Sequence, residues 1–292
     1  MINKNRLNAI KIIIVAEDTV LYESPYLGQH GISILLIAEA GGATKKFLVD
    51  VGQNPTALLE NMSKMDISPS HIDAIVLTHC HYDHTQGVAR ILKEIGKSDI
   101  PVIAHPDLFR LNFITDPHFR HLGIMDGDKE ADIETSGGKL CLTKDPIQIL
   151  PGLITTGEVK RQTDFEEVGM DLFTIKNGKI ETDLMTDDIS VVANLKEKGL
   201  VVVTGCSHAG IVNIIKHAIK LTGTKKVHGI IGGFHLIEAS TNRIKKTVQE
   251  LERLNPDWIA AGHCTGFEAQ VELYNTFKDR FSPLHTGMIF EI

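Results

Sequence analysis

Three histidines and one aspartate lie within six residues of one another, directly after an apolar stretch of the chain. They are His79, His81, Asp83 and His84. Side chains two positions apart in an extended segment point the same way, so His79 and His81 can present two imidazoles to one metal ion. As the chain turns, Asp83 and His84 can face a second ion nearby. Neutral imidazole and carboxylate suit zinc, manganese or iron, so the cluster predicts a site for two divalent ions.

Three more histidines occupy comparable positions further along the chain. His208 and His263 each follow an apolar run that is typical of a buried strand, and His235 follows the pair Gly232-Gly233. A shared sheet would bring these strand ends to one edge, so we expect His208 and His263 to join the first cluster. Glycines permit close backbone approach and unusual dihedral angles. His235 is accordingly interpreted as a ligand, a substrate contact or a proton shuttle.

Runs of apolar and β-branched residues predict the strands that must position these side chains, and runs with one apolar face predict helices. Strands are predicted at residues 10–15, 31–38, 46–51, 72–78, 101–105, 172–176, 179–184, 190–195, 200–205, 227–231 and 258–261. Helices are predicted at residues 55–65, 88–96, 211–222 and 243–254. No polar linker divides the chain, which favours one α/β domain over residues 1–292. The pattern weakens at about 106–151, where we expect an insertion or a lid.

The composition is that of an ordinary globular protein. Hydrophobic residues make up 42% of the 292 residues and charged residues 23%. The net charge of −7 offers no attraction to nucleic acid, so no nucleic-acid partner is expected. The N-terminus has no apolar segment followed by a cleavage site, and the apolar runs are far shorter than the roughly 20 residues of a membrane span. We therefore expect a cytoplasmic protein with no membrane segment.

Four cysteines are too few for a disulfide scaffold. Three of them, Cys80, Cys206 and Cys264, adjoin the proposed ligands. A metal ion deprotonates a nearby thiol, so a thiolate ligand is one interpretation of this placement. We expect instead that the three are small packing residues around the site.

The whole arrangement resembles the metallo-β-lactamase superfamily. The segment Phe47-Leu48-Val49-Asp50-Val51-Gly52 is similar to the first motif of that family. The resemblance implies an αββα sandwich, in which two mixed sheets pack face to face and the metals lie at one edge between them. Asp50 would support the ligands from behind. The implied ligands are His79, His81 and His208 for the first metal, and Asp83, His84 and His263 for the second. Zinc is the expected metal at both positions, with manganese, iron and magnesium as alternatives.

One feature departs from this resemblance. The superfamily usually places a metal-bridging aspartate between the third histidine and the last, but no aspartate occurs between His208 and Asp257. The corresponding place contains His235, which is our first candidate to complete the shell of the second metal. The pair Asp187-Asp188 is a weaker candidate. Either the second metal binds more weakly, or one of these groups completes its shell.

A closer resemblance is to the subgroup labelled 7,8-dihydropterin-6-yl-methyl-4-(β-D-ribofuranosyl)aminobenzene 5′-phosphate synthase. It is carried by residues 28–33, 156–161, 205–213, 233–236 and 262–266, and the match runs from about residue 10 to the C-terminus. It implies an enzyme that joins a dihydropterin methyl pyrophosphate to a ribofuranosyl-aminobenzene phosphate. His30, Glu158 and Arg161 would approach this substrate, with Arg161 facing a phosphate. Asp83 and His235 are the predicted catalytic residues.

Two other functions remain open at this stage. One is a hydrolase of phosphodiesters or related esters that uses a metal-activated water. The other is a metal-dependent binding or sensor protein, for which the missing aspartate is the sequence argument. In every case the expected partner is a small phosphorylated molecule, and a homo-oligomer remains possible.

Overall fold

A computed structural model of the chain describes residues 6–292, and residues 1–5 of the predicted domain lie outside the described part. Buried runs of β-branched residues form the strands, because such side chains pack well on a pleated surface. The strands of the described part are β1 (Ala9–Ala16), β2 (Ser33–Ala40), β3 (Ala43–Val49), β4 (Ala74–Val76), β5 (Ile100–Ala104), β6 (Phe113–Ile114), β7 (Arg120–His121), β8 (Gly138–Leu142), β9 (Gln148–Leu150), β10 (Leu153–Thr155), β11 (Phe173–Lys176), β12 (Lys179–Thr182), β13 (Val191–Leu195), β14 (Gly199–Val203), β15 (Val227–Gly233), β16 (Trp258–Gly262), β17 (Phe281–Pro283) and β18 (Ile289–Glu291).

Helices connect many of these strands. The helices of the described part are α1 (Pro55–Lys64), α2 (Tyr82–Thr85), α3 (Val88–Ile95), α4 (Glu130–Thr135), α5 (Ile211–Thr222), α6 (Thr241–Leu254) and α7 (Phe267–Phe277). α1 begins at Pro55 because the Asn54 side chain accepts hydrogen bonds from the N–H groups of Thr56 and Ala57. Within residues 6–292, no helix has both the length and the apolar character needed to cross a membrane.

The long-range pairing of the strands produces two seven-stranded sheets. The first has the order β18-β1-β2-β3-β4-β5-β8, and the second has the order β17-β16-β15-β14-β13-β10-β9. In the first sheet β3, β4 and β5 run parallel, and in the second β14, β15 and β16 run parallel. Parallel neighbours end at the same edge of a sheet, so the residues that follow these strands are brought together there.

Alternating side chains divide the apolar core into three layers. Ile12 and Ile14 of β1 pack between the two sheets, against residues such as Val203 of β14. Ile13 of β1 points the other way and packs in the layer formed with α1 and α3. The outer face of the second sheet packs against α5, α6 and α7. The order of layers is helix, sheet, sheet, helix, which confirms the predicted αββα sandwich.

The segment at 106–151 does not form one unit. β6 and β7 pair with the hairpin of β11 and β12 in a small third sheet, whose order is β12-β11-β6-β7. β8 instead joins the first main sheet beside β5, and β9 joins the second beside β10. Leu122, just after β7, and Met170, just before β11, line the cavity described below. The cover over that cavity is therefore built from two stretches that are far apart in the sequence.

Candidate metal centre

The predicted ligands meet at one edge of the sandwich, where several strands of both sheets end. Their side chains are buried. Asp50 follows β3, the cluster at 79–84 follows β4, and His208, His235 and His263 follow β14, β15 and β16. The parallel order of these strands explains why residues up to 213 positions apart (50 to 263) share one site.

Asp50 lies at the base of this site and is completely buried. Its carboxylate accepts hydrogen bonds from the backbone N–H and the hydroxyl of Thr78, each at 2.7 Å. Nδ1 of His84 lies 2.7 Å from the same carboxylate. Nε2 of His84 is thereby directed toward Asp83, whose Oδ2 is 3.4 Å away. A carboxylate in this position orients the imidazole and selects its tautomer, which is the contact that the sequence predicts for Asp50.

His79, His81 and His208 form the first group of donors. Their ring centroids are 4.8 Å apart in each of the three pairs. Nδ1 of His79 lies 3.0 Å from the Thr78 hydroxyl, and Nε2 of His81 lies 3.2 Å from Oδ1 of Asn112. These contacts leave Nε2 of His79 and Nδ1 of His81 for a metal ion.

Asp83, His84 and His263 form the second group. Oδ2 of Asp83 lies 3.2 Å from Nε2 of His263, in addition to its approach to His84. One donor atom from each of these residues, together with Sγ of Cys206, falls within a span of 4.8 Å. The structure therefore brings all six predicted ligands together in two adjacent groups.

Several ring nitrogens in the site are buried without a hydrogen-bond partner. They are Nε2 of His79 and both nitrogens of His208 and of His235. Leaving one buried polar atom unsatisfied costs about 1–3 kcal/mol, and such atoms are uncommon in native proteins unless a ligand satisfies them. Imidazole nitrogens and a carboxylate are the donors that zinc and related ions take. The residues present therefore fit divalent metal ions at the two groups.

The first group favours neutral imidazoles. Burial lowers the pKa of His79 and of His208 well below the usual histidine value, and the neighbouring histidines act in the same direction. Burial also lowers the pKa of His81, to about 4. All three rings are thus neutral at neutral pH, which is the form that binds a metal.

The second group contains a buried carboxylate. Burial opposes ionisation of Asp83, but His84 and His263 outweigh it and hold the pKa of this carboxyl well below its usual value. Burial likewise opposes protonation of His84, but Asp83 and Asp50 outweigh it and raise the pKa of that ring to about 9. The carboxylates create a negative potential that retains protons on the rings and would favour a divalent cation in their place.

His235 lies beside the first group rather than in the second. Its ring centroid is 4.1 Å from that of His208, and it lines the cavity. The set of close donor atoms that includes His235 contains Cys206 and Cys264, but not Asp83. The structure therefore does not place His235 where it would complete the shell of the second metal.

Asp187 and Asp188 were the weaker candidates to complete the shell of the second metal, but their contacts are with the backbone of two ligand loops. Oδ2 of Asp187 accepts a hydrogen bond from the backbone N–H of Cys80 at 2.8 Å. Oδ2 of Asp188 accepts one from the backbone N–H of Ala209 at 2.7 Å. Each carboxylate thus holds a loop that carries first-group histidines. They position ligands, and neither belongs to the set of close donor atoms that contains Asp83, His84 and His263.

Four residues of the site have a backbone conformation that L-amino acids rarely adopt. The φ angles are 57° at Asp50, 62° at Ser207, 45° at His235 and 50° at His263. Left-handed backbone at a non-glycine residue costs about 1–3 kcal/mol and is common at functional sites. The fold tolerates this strain at the strand ends because it aims the side chains into one small volume.

The cavity above the two groups has a volume of about 240 Å³. Beyond the ligands, its wall includes His30, Tyr82, Arg120, Met170 and Ile237. Arg120 comes from β7 of the small sheet and is exposed at the mouth. The cavity therefore has a polar floor of metal ligands and a rim with one cation, one exposed acid (Glu238) and several apolar groups.

The three predicted substrate residues have different surroundings. His30 lines the cavity, and its Nε2 lies 3.6 Å from Oδ2 of Asp83. Glu158 lies 3.6 Å from Nε2 of His105 and is not part of the cavity wall. Arg161 donates a hydrogen bond to the backbone carbonyl of His208 at 2.8 Å. Of the three, His30 can meet a substrate directly, and Arg161 supports a ligand loop.

Two comparisons decide the family. A family model described as the metallo-beta-lactamase superfamily matches residues 27–137. The chain is also 41% identical to 7,8-dihydropterin-6-methyl-4-(beta-D-ribofuranosyl)-aminobenzene-5'-phosphate synthase of Methanocaldococcus jannaschii, across 100% of this chain and 99% of the relative. The chain belongs to the metallo-β-lactamase superfamily. The full-length identity also confirms the closer resemblance that the sequence predicts.

Two other proteins extend this comparison within the metallo-β-lactamase superfamily. An uncharacterized protein of the same organism is 34% identical, over 97% of this chain and 100% of its own length. The crystal structure of Tm1679, a metal-dependent hydrolase of the β-lactamase superfamily, covers 97% of this chain and 99% of its own with a TM-score of 0.79 and 23% identity. That structural likeness confirms the metallo-β-lactamase fold.

The sequence analysis did not identify an acidic pair of the site, Glu17 and Asp18, which directly follows β1. Oδ2 of Asp18 lies 2.6 Å from Nδ1 of His263, and Oδ1 of Asp18 lies 2.9 Å from Nδ1 of His30. Glu17 accepts a hydrogen bond from the backbone N–H of His263. The position of this pair in the sequence could have indicated its role, because Glu17-Asp18 directly follows an apolar strand, as the ligand motifs do.

Proposed function

We propose that this protein is a metal-dependent enzyme that acts on a phosphorylated or pyrophosphorylated small molecule. In its specific form, the proposal is that it joins a dihydropterin methyl pyrophosphate to a ribofuranosyl-aminobenzene phosphate. The observation that carries the proposal is the 41% identity to the M. jannaschii synthase along the whole chain. The two groups of metal donors at the floor of a cavity support it.

The proposed reaction forms one carbon–nitrogen bond and breaks one carbon–oxygen bond. The arylamine nitrogen attacks the methylene carbon on the pterin, pyrophosphate leaves with the bonding electron pair, and the arylamine loses a proton. When bound, divalent ions, zinc by preference, would neutralise the charge that develops on the pyrophosphate. Water is not a reactant, so the site has to hold the arylamine at the carbon and keep water away from it.

The chain supplies groups for proton transfer and for substrate binding. Both ring nitrogens of His235 are buried without a partner beside the cavity, so either can accept the proton that the arylamine loses. Arg120 at the mouth offers a guanidinium for a phosphate group. The cavity of about 240 Å³ is below the range of about 300–1,000 Å³ for small-molecule sites. It therefore suits the reacting groups, while the remainder of two substrates would lie along the rim.

The test is a reconstituted reaction with both cosubstrates and protein loaded with zinc or manganese. We expect pyrophosphate release and a conjugate of the expected mass, each dependent on both cosubstrates. A chelator should abolish both products, and added metal should restore them. Absence of conjugate in protein that contains metal would overturn the specific proposal.

Matched variants separate the site from general damage to the fold. His208→Ala removes a ligand of the first group and should abolish the reaction. His71→Ala alters an exposed histidine outside the site and should leave the rate unchanged. Turnover of bis-p-nitrophenyl phosphate, or pyrophosphate release without the arylamine, would instead identify a hydrolase.

A further inference from the structure

One sulfur atom lies between the two groups of metal donors. Sγ of Cys206 falls within 4.8 Å of a ring nitrogen of His79 and of His208 on one side. On the other side it falls within the same span of donor atoms of Asp83, His84 and His263. Among the described residues, Cys206 is thus the donor that these two groups share.

The contact of this sulfur with His84 shows where the thiol points. Sγ of Cys206 lies 3.1 Å from Nε2 of His84, the nitrogen that Asp50 leaves free for a metal. The side chain is buried, with 3% of its surface exposed. A packing residue would face the apolar core, but Cys206 faces the imidazole edge of the site.

The loop that carries Cys206 is tightly packed at Gly205 and has a strained backbone at Ser207. A side chain at Gly205 would clash, because a Cβ there would lie 2.2 Å from the Thr78 hydroxyl and 2.8 Å from Oδ2 of Asp50. Ser207 adopts a φ of 62°, and its hydroxyl donates to the backbone carbonyl of Gly233 at 2.7 Å. This tight turn places Cys206 and His208 in the same small volume. The strained backbone at Ser207 therefore positions both side chains.

A second anion among the ligands themselves would offset more of the charge that two divalent ions bring. Among the six predicted ligands, Asp83 is the one that carries a negative charge, whereas two divalent ions bring four positive charges. Burying charge without compensation is costly. A thiol in contact with a divalent ion is deprotonated and contributes a negative charge at the ligand position. On binding, the sulfur–hydrogen bond breaks, the proton goes to solvent, and sulfur forms bonds to the metals.

We propose that Cys206 is a metal ligand whose thiolate is shared by the two ions. This inference rests on the metal dependence in the proposed function, but not on the reaction assigned to it. Cys206 then supplies a second anionic ligand in a chain that has no aspartate between His208 and Asp257. The expectation that Cys206 merely packs around the site is replaced by a direct role at the metals.

Cys264 provides a matched control. Its sulfur is close to Cys206 and His235, but it belongs to neither of the two groups of metal donors. Its thiol already contacts the backbone carbonyl of Cys206, at 3.6 Å. Both cysteines are buried and free, but of the two only Cys206 has its sulfur among the close donor atoms of the predicted ligands.

The first experiment uses cobalt(II) in place of the native metal, under reducing conditions. We expect the full chain and Cys264→Ser to show a near-ultraviolet thiolate-to-cobalt charge-transfer band. Cys206→Ser should lack the band and bind its second cobalt at least about tenfold more weakly. Cys206→Asp should bind two cobalt ions per chain and lack the band. A band that survives in Cys206→Ser, or one lost in Cys264→Ser, would overturn the proposal.

A second measurement needs no variant. X-ray absorption of the zinc-loaded chain should show a zinc–sulfur distance of about 2.3 Å beside nitrogen and oxygen at about 2.0–2.2 Å. A zinc shell of nitrogen and oxygen alone would overturn the proposal and leave the proposed function intact. Absence of bound metal would overturn both the role of Cys206 and the proposed metal dependence. A zinc–sulfur signal without synthase activity would overturn only the proposed reaction.

Discussion

Asp18 and His263 lie at opposite ends of the chain, yet Oδ2 of Asp18 is 2.6 Å from Nδ1 of His263. Burial opposes ionisation of Asp18, but contacts with His263 and His30 outweigh it and hold the pKa of this carboxyl well below its usual value. The carboxylate is therefore charged at neutral pH. It orients the His263 ring and leaves Nε2 for the second group, in the same way that Asp50 orients His84.

Replacing Asp18 should weaken the second metal position selectively. Asp18→Asn keeps the size of the side chain and removes its charge, so we expect a loss of about 10–100-fold in affinity for one of the two metals. Competition titration with a chromophoric chelator measures both affinities. Asp99→Asn, at an exposed position away from the site, should change neither. Equal weakening of both metals would argue that Asp18 supports the fold rather than one ligand.

Replacing His235 should separate proton transfer from metal binding. His235→Gln removes a titratable ring that lies beside the first group, so we expect kcat to fall by about 100-fold while metal content stays at the native level. Steady-state kinetics and elemental analysis of the same preparation check this. Loss of a metal ion in the variant would show that His235 is a ligand after all.

Replacing Arg120 should affect substrate binding more than turnover. A hydrogen bond to a charged partner contributes about 1.5–3 kcal/mol, and the exposure of Arg120 favours the lower end of that range. We therefore expect Arg120→Ala to raise KM for a phosphorylated cosubstrate about tenfold, with kcat little changed. Arg90→Ala is the control, since Arg90 is exposed and bonds to the Thr56 hydroxyl outside the cavity. Equal effects of the two variants would remove Arg120 from the binding site.

A buried ion pair behind His81 predicts a pH-dependent stability difference. Asp183 accepts a hydrogen bond from Nε of Arg110 at 2.6 Å and one from Asn112, which in turn contacts His81. Burial opposes ionisation of Asp183, but the bond from Arg110 outweighs it and lowers the pKa below its ordinary value of 3.8. A lowered pKa means that the stabilisation is present above pH 3.8 and is lost as the pH falls through the folded-state value.

Asp183→Asn should therefore lower the free energy of unfolding at neutral pH by about 1.5–3 kcal/mol, because hydrogen bonds to a charged group are weakened while Arg110 keeps its ion pair with Asp187. The difference from the unmodified protein should shrink as the pH falls below 3.8. Denaturant titrations over a pH series, with a chelator present throughout, measure this difference. A difference that stays constant or grows in acid would contradict the assigned role of Asp183.

The sequence by itself determined the local parts of the site and most of the elements around it. The spacing of His79, His81, Asp83 and His84 after an apolar run predicts their convergence, since neighbouring positions in a short segment have few relative orientations. Apolar periodicity likewise predicts α5 at the residues where the structure has it. It did not predict α7, whose exposed Phe267, Val271 and Tyr274 blur the apolar face formed by its buried residues.

Tertiary structure alone decided which distant residues complete the site. The order of strands in the two sheets brings Asp18 to His263, Asp187 to the loop of Cys80, and Cys206 between the two groups of ligands. Strand order depends on packing across the whole core, and a local pattern does not contain it. The sequence therefore predicts the local motif around each ligand. The sharing of one sulfur by two groups follows only from the way both sheets end at the same edge.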